Sequence, residues 1–268
     1  MGVVDPFSVA RAAGLELIGK SEGLTLTDGT MELRADFDRM LPRLKQGCLQ
    51  QELLVKAARA KGIECPWAID ATAGFGEDSL LLAAAGFTVD LYEQDCVIAA
   101  LLKDALDRAA DDPALAAAVS RMRLHAGEDS IAGLRHTAEL IGRGELAAPD
   151  VVYLDPMFPE RTKSAAVKKK FQLLHHLEQP CADEETLVEA ALAARPRKVV
   201  IKRPVKGPLL AGVKRAINLR ARPFVTMFWC RRVRSSCAMA GIAPAPRRCG
   251  TYFQGCDVRC HPPQYSHL

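Results

Sequence analysis

From about residue 65 onward, short, mostly apolar runs alternate with longer stretches whose apolar residues recur every three to four positions. The runs are Trp67–Asp70, Thr88–Tyr92, Met122–His125, Val151–Leu154 and Val199–Lys202. Their length and β-branched content predict buried strands. The stretches Asp78–Ala85, Cys96–Ala110, Pro113–Arg121, Ala165–His176 and Glu184–Ala194 carry the spacing of helices. Such alternation predicts βαβ units and hence an α/β fold, a mostly parallel sheet with helices on both faces. Right-handed crossovers then bring the carboxyl ends of the strands to one edge, where such sheets bind ligands.

The two ends of the chain read differently. Residues 1–62 predict a small N-terminal extension, with a β element over Leu15–Leu33 and a helix around Leu49–Lys61. Residues 63–214 hold the strand–helix alternation. Residues 215–268 form an atypical C-terminal tail with five of the nine cysteines, five of the sixteen prolines, several Arg pairs and little periodicity. Phe224–Trp229 is its strand candidate, and the rest reads as a disordered or frameshifted segment.

Two strand ends carry chemistry. The first is Asp70-Ala71-Thr72-Ala73-Gly74-Phe75-Gly76-Glu77-Asp78, which leaves one strand and opens a helix. Gly74 and Gly76 let the backbone approach a ligand closely, and the helix start offers unpaired N–H groups. A structural turn is the plainer reading of two such glycines. Glu93, however, closes the next strand, where an acid can accept hydrogen bonds from both ribose hydroxyls of a nucleoside. A dinucleotide fingerprint needs a third glycine, and Glu77, Asp78 and Ser79 stand there instead, which disfavours a nicotinamide oxidoreductase. Glu77 and Asp78 would also repel a pyrophosphate, yet they tolerate the ammonium and sulfonium of S-adenosylmethionine. At the third strand end, Asp129 or Ser130 can meet an adenine amino group, cap the following helix, or do both.

The second strand end is Asp155-Pro156-Met157-Phe158-Pro159, directly after Val151–Leu154. Aryl amines are poor nucleophiles because their lone pair is delocalised into the ring. Asp155 and the Pro156 carbonyl can accept the amine hydrogens and draw the nitrogen toward sp³ geometry, while Phe158 stacks on the base. Transfer from a sulfonium is then largely a matter of positioning. A Pro-rich turn with Asp155 as an Asx cap is the structural alternative.

Bulk properties narrow the class further. At 268 residues, with 49% hydrophobic and 25% charged residues, the composition is that of a soluble globular chain. The net charge of +4 is too small to identify a polyanionic partner by itself. No stretch approaches the roughly 18 uncharged apolar residues of a membrane span, and Met1–Asp5 does not read as a signal peptide. The nine cysteines contain no CxxC pair, and Cys256, Cys260 and His261 lack a fourth zinc ligand, so reduced thiols and no metal are expected. Lys163, Lys168, Lys169 and Lys170 follow the Asp155 loop, and Arg195, Arg197, Lys198, Lys202 and Arg203 bracket the fifth strand. Solvated helix faces explain many such runs, but their place beside the loop favours contacts with RNA phosphates.

These motifs resemble a class I S-adenosylmethionine-dependent methyltransferase. More narrowly, they resemble the bacterial ribosomal RNA small subunit methyltransferase J family, which methylates N2 of a guanine in 16S rRNA. Asp70–Asp78 and Val151–Pro159 carry most of the likeness, supported by Val97–Leu102, Lys163–Lys169 and Val199–Pro204, over roughly residues 65–210. Met157 is the narrowing feature, since common amino-methyltransferases carry a second proline there. The resemblance implies a Rossmann-like class I methyltransferase fold, S-adenosylmethionine as cofactor, 16S rRNA or the small ribosomal subunit as partner, and a cytoplasmic location. Cofactor contacts are expected at Asp70, Gly74, Gly76, Glu77, Asp78, Glu93, Gln94, Asp129, Ser130 and Asp155, with catalysis at Asp155, Pro156 and Phe158. An adenine-N6 or small-molecule amino-methyltransferase, and a noncatalytic RNA-binding protein on the same fold, stay open on these residues.

The family closes its sheet with a further strand after the Lys-Arg-Pro element, and residues 215–268 do not read like it. Codons for Pro223–Cys230 can, in a shifted frame, encode Val-Arg-Tyr-Asp-Val-Leu-Val, an alternating strand of the expected kind. A frameshift near Lys214 is the expectation that follows.

Overall fold

In a computed structural model of the chain, the described residues are 4–156, 173, 184–204, 218–219 and 226–232. The expected helix Ala165–His176, the residues Met157, Phe158 and Pro159, and the Lys163–Lys170 run lie outside them, apart from Leu173.

The chain opens on helix α1 (Pro6–Ala12), strands β1 (Glu16–Lys20), β2 (Gly23–Thr27) and β3 (Glu32–Leu33), and helices α2 (Leu41–Leu44) and α3 (Leu53–Ala58). Asp5 starts α1 by accepting from the amides of Phe7 and Ser8, with Pro6 at the first helical position. The three strands form an antiparallel sheet, β1 pairing with β2 from Glu16↔Thr27 to Lys20↔Gly23.

There follow β4 (Trp67–Asp70), α4 (Glu77–Ala84), β5 (Thr88–Glu93), α5 (Cys96–Ala110), α6 (Ala116–Val119), β6 (Met122–Ala126), α7 (Ser130–Gly142) and β7 (Val151–Leu154). After these come α8 (Glu184–Ala193), β8 (Lys198–Pro204), β9 (Asn218–Leu219) and β10 (Thr226–Arg232). The larger sheet has the order β6-β5-β4-β7-β8-β10-β9. Its first five strands are parallel, and β10 runs antiparallel to both β8 and β9. This is the Rossmann-like architecture expected of a class I methyltransferase. All five predicted strands are present with ends shifted by at most a few residues.

The unbroken apolar runs of the central strands, such as Val151–Leu154, follow from burial on both faces of the sheet. Along β7, Val151 and Tyr153 join the core beneath α4 and α5, while Val152 and Leu154 join the core beneath α7 and α8. Each such side chain contributes roughly 1.5–3 kcal/mol on burial. Helices α1 and α7 were not among the predicted elements. In α7 the residues Gly133, His136 and Thr137 mute the helical pattern, although the Asp129 cap was legible. Gly133 is there for close packing: a Cβ would fall 2.3 Å from the ring of Tyr92. Among the described residues, no helix is long and apolar enough to cross a membrane.

Candidate active site

Strand β4 lies between β5 and β7, so the chain order reverses beside it and a crevice opens at the carboxyl ends. The loop leaving β4 is tied to both neighbours. The Ala71 amide donates to the Tyr153 carbonyl of β7 and the Ala73 amide to the Tyr92 carbonyl of β5, each at 3.1 Å. Both loop glycines have left-handed backbones, φ +53° at Gly74 and +73° at Gly76. Their surroundings differ. A Cβ on Gly76 would meet Leu102 Cδ1 at 2.7 Å, whereas one on Gly74 would meet nothing within 4 Å. Gly76 is thus a packing glycine, and Gly74 borders open space. The start of α4 has no side-chain cap, so its first amides remain available to a ligand.

Four carboxylates converge on this crevice. Asp70, fully buried at the end of β4, accepts from Ser79 Oγ at 2.6 Å and from the Thr72 amide at 3.0 Å. Burial pushes its carboxyl up to about 7, aided by the charges of Asp78 and Asp155 against the lowering effect of those two bonds. Glu93, at the end of β5, accepts from the Gly74 amide and the Asp95 amide, each at 2.9 Å. Burial first, and then Asp95 and Asp70, push it to about 7 as well. Asp78 goes the other way: burial would raise it, but Lys202, the Tyr153 hydroxyl and Arg43 together hold it below the usual carboxylate range. The fourth acid, Asp155, is held by its backbone, whose amide donates to Thr72 Oγ1 at 2.7 Å.

Lys202 stands between two of these acids, with Nζ 2.7 Å from Asp78 Oδ2 and 2.9 Å from Asp155 Oδ2. Burial disfavours its charge, yet Asp78 and Asp155 more than offset that and hold the ammonium well above its ordinary range. Tyr153 donates its hydroxyl to the same Asp78 oxygen at 2.5 Å. Burial, then Asp78, Asp155 and Asp70, keep that phenol protonated. Thr72, Tyr153 and Lys202 are not among the site residues expected from sequence. The signal for Lys202 was its strand, which becomes informative only once β7 and β8 are known to be neighbours.

Of the expected cofactor residues, Asp70, Gly74, Gly76, Glu77, Asp78, Glu93 and Asp155 gather around the loop. Gln94 is exposed beside Glu93. Asp129 accepts from the Ile131 amide at 3.0 Å and so caps α7, with Ser130 as that helix's first residue. Pro156 is buried directly after Asp155, and Phe158 lies outside the described residues. The basic group around β8 is divided by the sheet. Lys202 reaches the site, but Arg197 pairs with the buried Asp150 at 3.2 Å, and Lys198 donates to the carbonyls of Ala57 and Arg59. Since Lys198 pairs with Val151 at the start of β7, Arg195, Arg197 and Lys198 lie at the end of the sheet opposite Asp155. The expectation that they flank the Asp155 loop is corrected accordingly.

The crevice suits a cationic nucleoside. Two carboxyls that burial keeps near neutrality gain from a positive charge beside them. Each Glu93 oxygen retains a lone pair beyond its amide bond for a ribose hydroxyl. The bare face of Gly74 leaves room for the ligand. S-adenosylmethionine fits these demands, and a pyrophosphate does not.

Residues 6–223 match a family described as putative SAM-dependent methyltransferases. A ribosomal RNA small subunit methyltransferase J from Thioalkalivibrio sulfidiphilus is 41% identical over 200 residues, covering 73% of this chain and 75% of that one. The protein of the same name from Pseudomonas paraeruginosa is 43% identical over 194 residues, covering 72% and 71% respectively. Among solved structures, a SAM-dependent methyltransferase from Neisseria gonorrhoeae matches with a TM-score of 0.64 at 27% identity, covering 86% of this chain and 92% of that one. With most of each relative's length matched at this identity, the chain belongs to the ribosomal RNA small subunit methyltransferase J family of S-adenosylmethionine-dependent methyltransferases.

Proposed function

We propose that this chain methylates the exocyclic N2 of a guanine in the 16S rRNA of the small ribosomal subunit, in the cytoplasm. The observation that carries the reading is the bond from the Asp155 amide to Thr72 Oγ1, 2.7 Å long. It sets the acceptor-side carboxylate directly against the loop that would hold the cofactor. When bound, S-adenosylmethionine supplies a methyl group activated by a sulfonium centre. Glu93 would accept hydrogen bonds from the ribose hydroxyls, Gln94 and Asp129–Ser130 would hold the adenine, and Gly74 would allow close approach. Asp155 and the Pro156 carbonyl accept the hydrogens of the guanine amine, and Phe158 stacks on the base. The nitrogen sheds one proton for the methyl it gains, toward Asp155 or water, so no stronger base is required.

Transfer of labelled methyl to small subunits from a strain lacking the modification tests the reading. Nucleoside mass spectrometry should find the label as N2-methylguanosine, and Asp155→Ala should abolish transfer while keeping the wild-type circular dichroism. Label on adenine, or undiminished turnover in Asp155→Ala, would overturn it. A protein that binds no S-adenosylmethionine in calorimetry would instead be a noncatalytic RNA binder.

A further inference from the structure

The ammonium of Lys202 touches the two halves of the site at once, 2.7 Å from Asp78 Oδ2 and 2.9 Å from Asp155 Oδ2. Asp78 belongs to the first turn of α4, on the cofactor side, and Asp155 follows β7, on the acceptor side. Strand register brings the lysine to them. Ile201 pairs with Leu154, so Lys202 stands beside Asp155. Alternation along β8 turns it to the same face as Val200, the face that packs with Tyr153 and α4. Lys202, Asp78 and Asp155 are each about one-fifth exposed, so water does little to screen them.

A buried ion pair is a poor source of stability, because desolvation offsets most of its attraction. Here one cation faces two acids. An apolar side chain could fill the same space but could not hold two carboxylates together. We propose that Lys202 is a positioning residue for methyl transfer: it clamps Asp155 to Asp78 so that the acceptor carboxylate keeps one orientation relative to the cofactor loop. Tyr153 completes the clamp by holding the shared Asp78 oxygen. Its role runs through the two carboxylates it holds. The inference rests on the rRNA methyltransferase reading above.

The test compares Lys202→Met, Lys202→Arg and the double variant Asp78→Asn/Lys202→Met, using the labelled transfer assay, calorimetry with S-adenosylmethionine, and thermal unfolding of the free protein. Because misplacement of a reacting group by about 1 Å can cost on the order of 100-fold, kcat in Lys202→Met should fall about 10- to 100-fold. KM for the RNA and Kd for the cofactor should stay within about threefold, and Lys202→Arg should recover most of the rate. If Lys202→Met does not fold, the double variant decides, since it buries one acid fewer. A folded double variant with low kcat supports positioning. A double variant with wild-type kcat, its charges balanced but the clamp gone, shows that the lysine only neutralises charge and overturns the proposal, as does an unimpaired kcat in Lys202→Met. Wild-type protein that transfers no methyl to rRNA would defeat the functional reading instead, so the two failures stay distinct.

Discussion

The Asp155 amide and the Thr72 hydroxyl oxygen, 83 residues apart in sequence, are joined by a 2.7 Å hydrogen bond across the point where the strand order reverses. This bond couples the position of the acceptor carboxylate to the cofactor loop. It predicts that Thr72→Val weakens catalysis more than folding. Loss of one partly buried neutral hydrogen bond should cost about 1 kcal/mol, or a few degrees in Tm. The kcat should fall about tenfold, and Thr72→Ser should retain it. A Thr72→Val protein with wild-type kcat would show that the bond is not needed to place Asp155.

The two loop glycines should fail differently. Gly76→Ala combines a φ of +73° with a Cβ 2.7 Å from Leu102 Cδ1, so it should destabilise the fold by about 1–3 kcal/mol. Gly74→Ala has only the conformational penalty, about 1 kcal/mol, because nothing lies within 4 Å of its Cβ. That open space is the proposed position of the cofactor, so Gly74→Ala should lose S-adenosylmethionine binding in calorimetry while melting near the wild-type temperature. Unchanged binding in Gly74→Ala would move the cofactor away from this loop.

Asp70 and Glu93, both raised to about 7, make an unusual pH dependence for folding. Each holds its proton more tightly folded than unfolded. The stability they contribute is therefore fully present below the ordinary carboxylate range of about 4 and is lost as pH rises through about 7. Tm of the free protein should drop between pH 5 and 8, and Asp70→Asn or Glu93→Gln should each flatten that drop. A bound cation favours the ionised acids, so S-adenosylmethionine should raise Tm more at pH 8 than at pH 6. Equal pH curves for wild type and both variants would assign the drop to other groups.

Much of this fold is visible in the chain because double-sided burial leaves unbroken apolar runs such as Val151–Leu154 and Val199–Ile201. Glu93 and Asp155 stood out as candidates because ligands gather where such runs end. Lys202 was read with its basic neighbours as an RNA-phosphate contact, since only strand order shows that it pairs with Asp155 instead. Arg197 and Lys198 misled for the same reason: their neighbours in sequence suggested one basic surface, and the length of β8 divides it. Helix α7 was hidden by Gly133, whose missing side chain serves Tyr92 rather than the helix.

The tail makes a separate proposal testable. Strand β10 pairs with β8 from Thr226↔Pro204 to Arg232↔Lys198. The codons for Pro223–Cys230, which overlap it, can encode an alternating strand in a shifted frame. We propose a frameshift near Lys214. Resequencing the gene should reveal it, and a chain with the frame restored should melt at a higher temperature. An intact frame through the stop codon would end the idea.

Lys198 separates architecture from RNA contact. Its ammonium donates to the carbonyls of Ala57 at 3.0 Å and Arg59 at 2.7 Å, so it satisfies the end of α3 and fastens the N-terminal segment to β8. A cation at a helix C-terminus with two carbonyl partners should contribute about 2 kcal/mol. Lys198→Met should therefore lower Tm by several degrees while leaving kcat unchanged. The RNA affinity should keep its slope against salt, because a lysine on a phosphate would change that slope by about one unit on removal. A reduced slope with an unchanged Tm would mean that Lys198 leaves α3 to meet the RNA. A lowered Tm with the slope intact fixes it as the bolt between β8 and α3, and leaves rRNA binding to groups at the Asp155 end of the sheet.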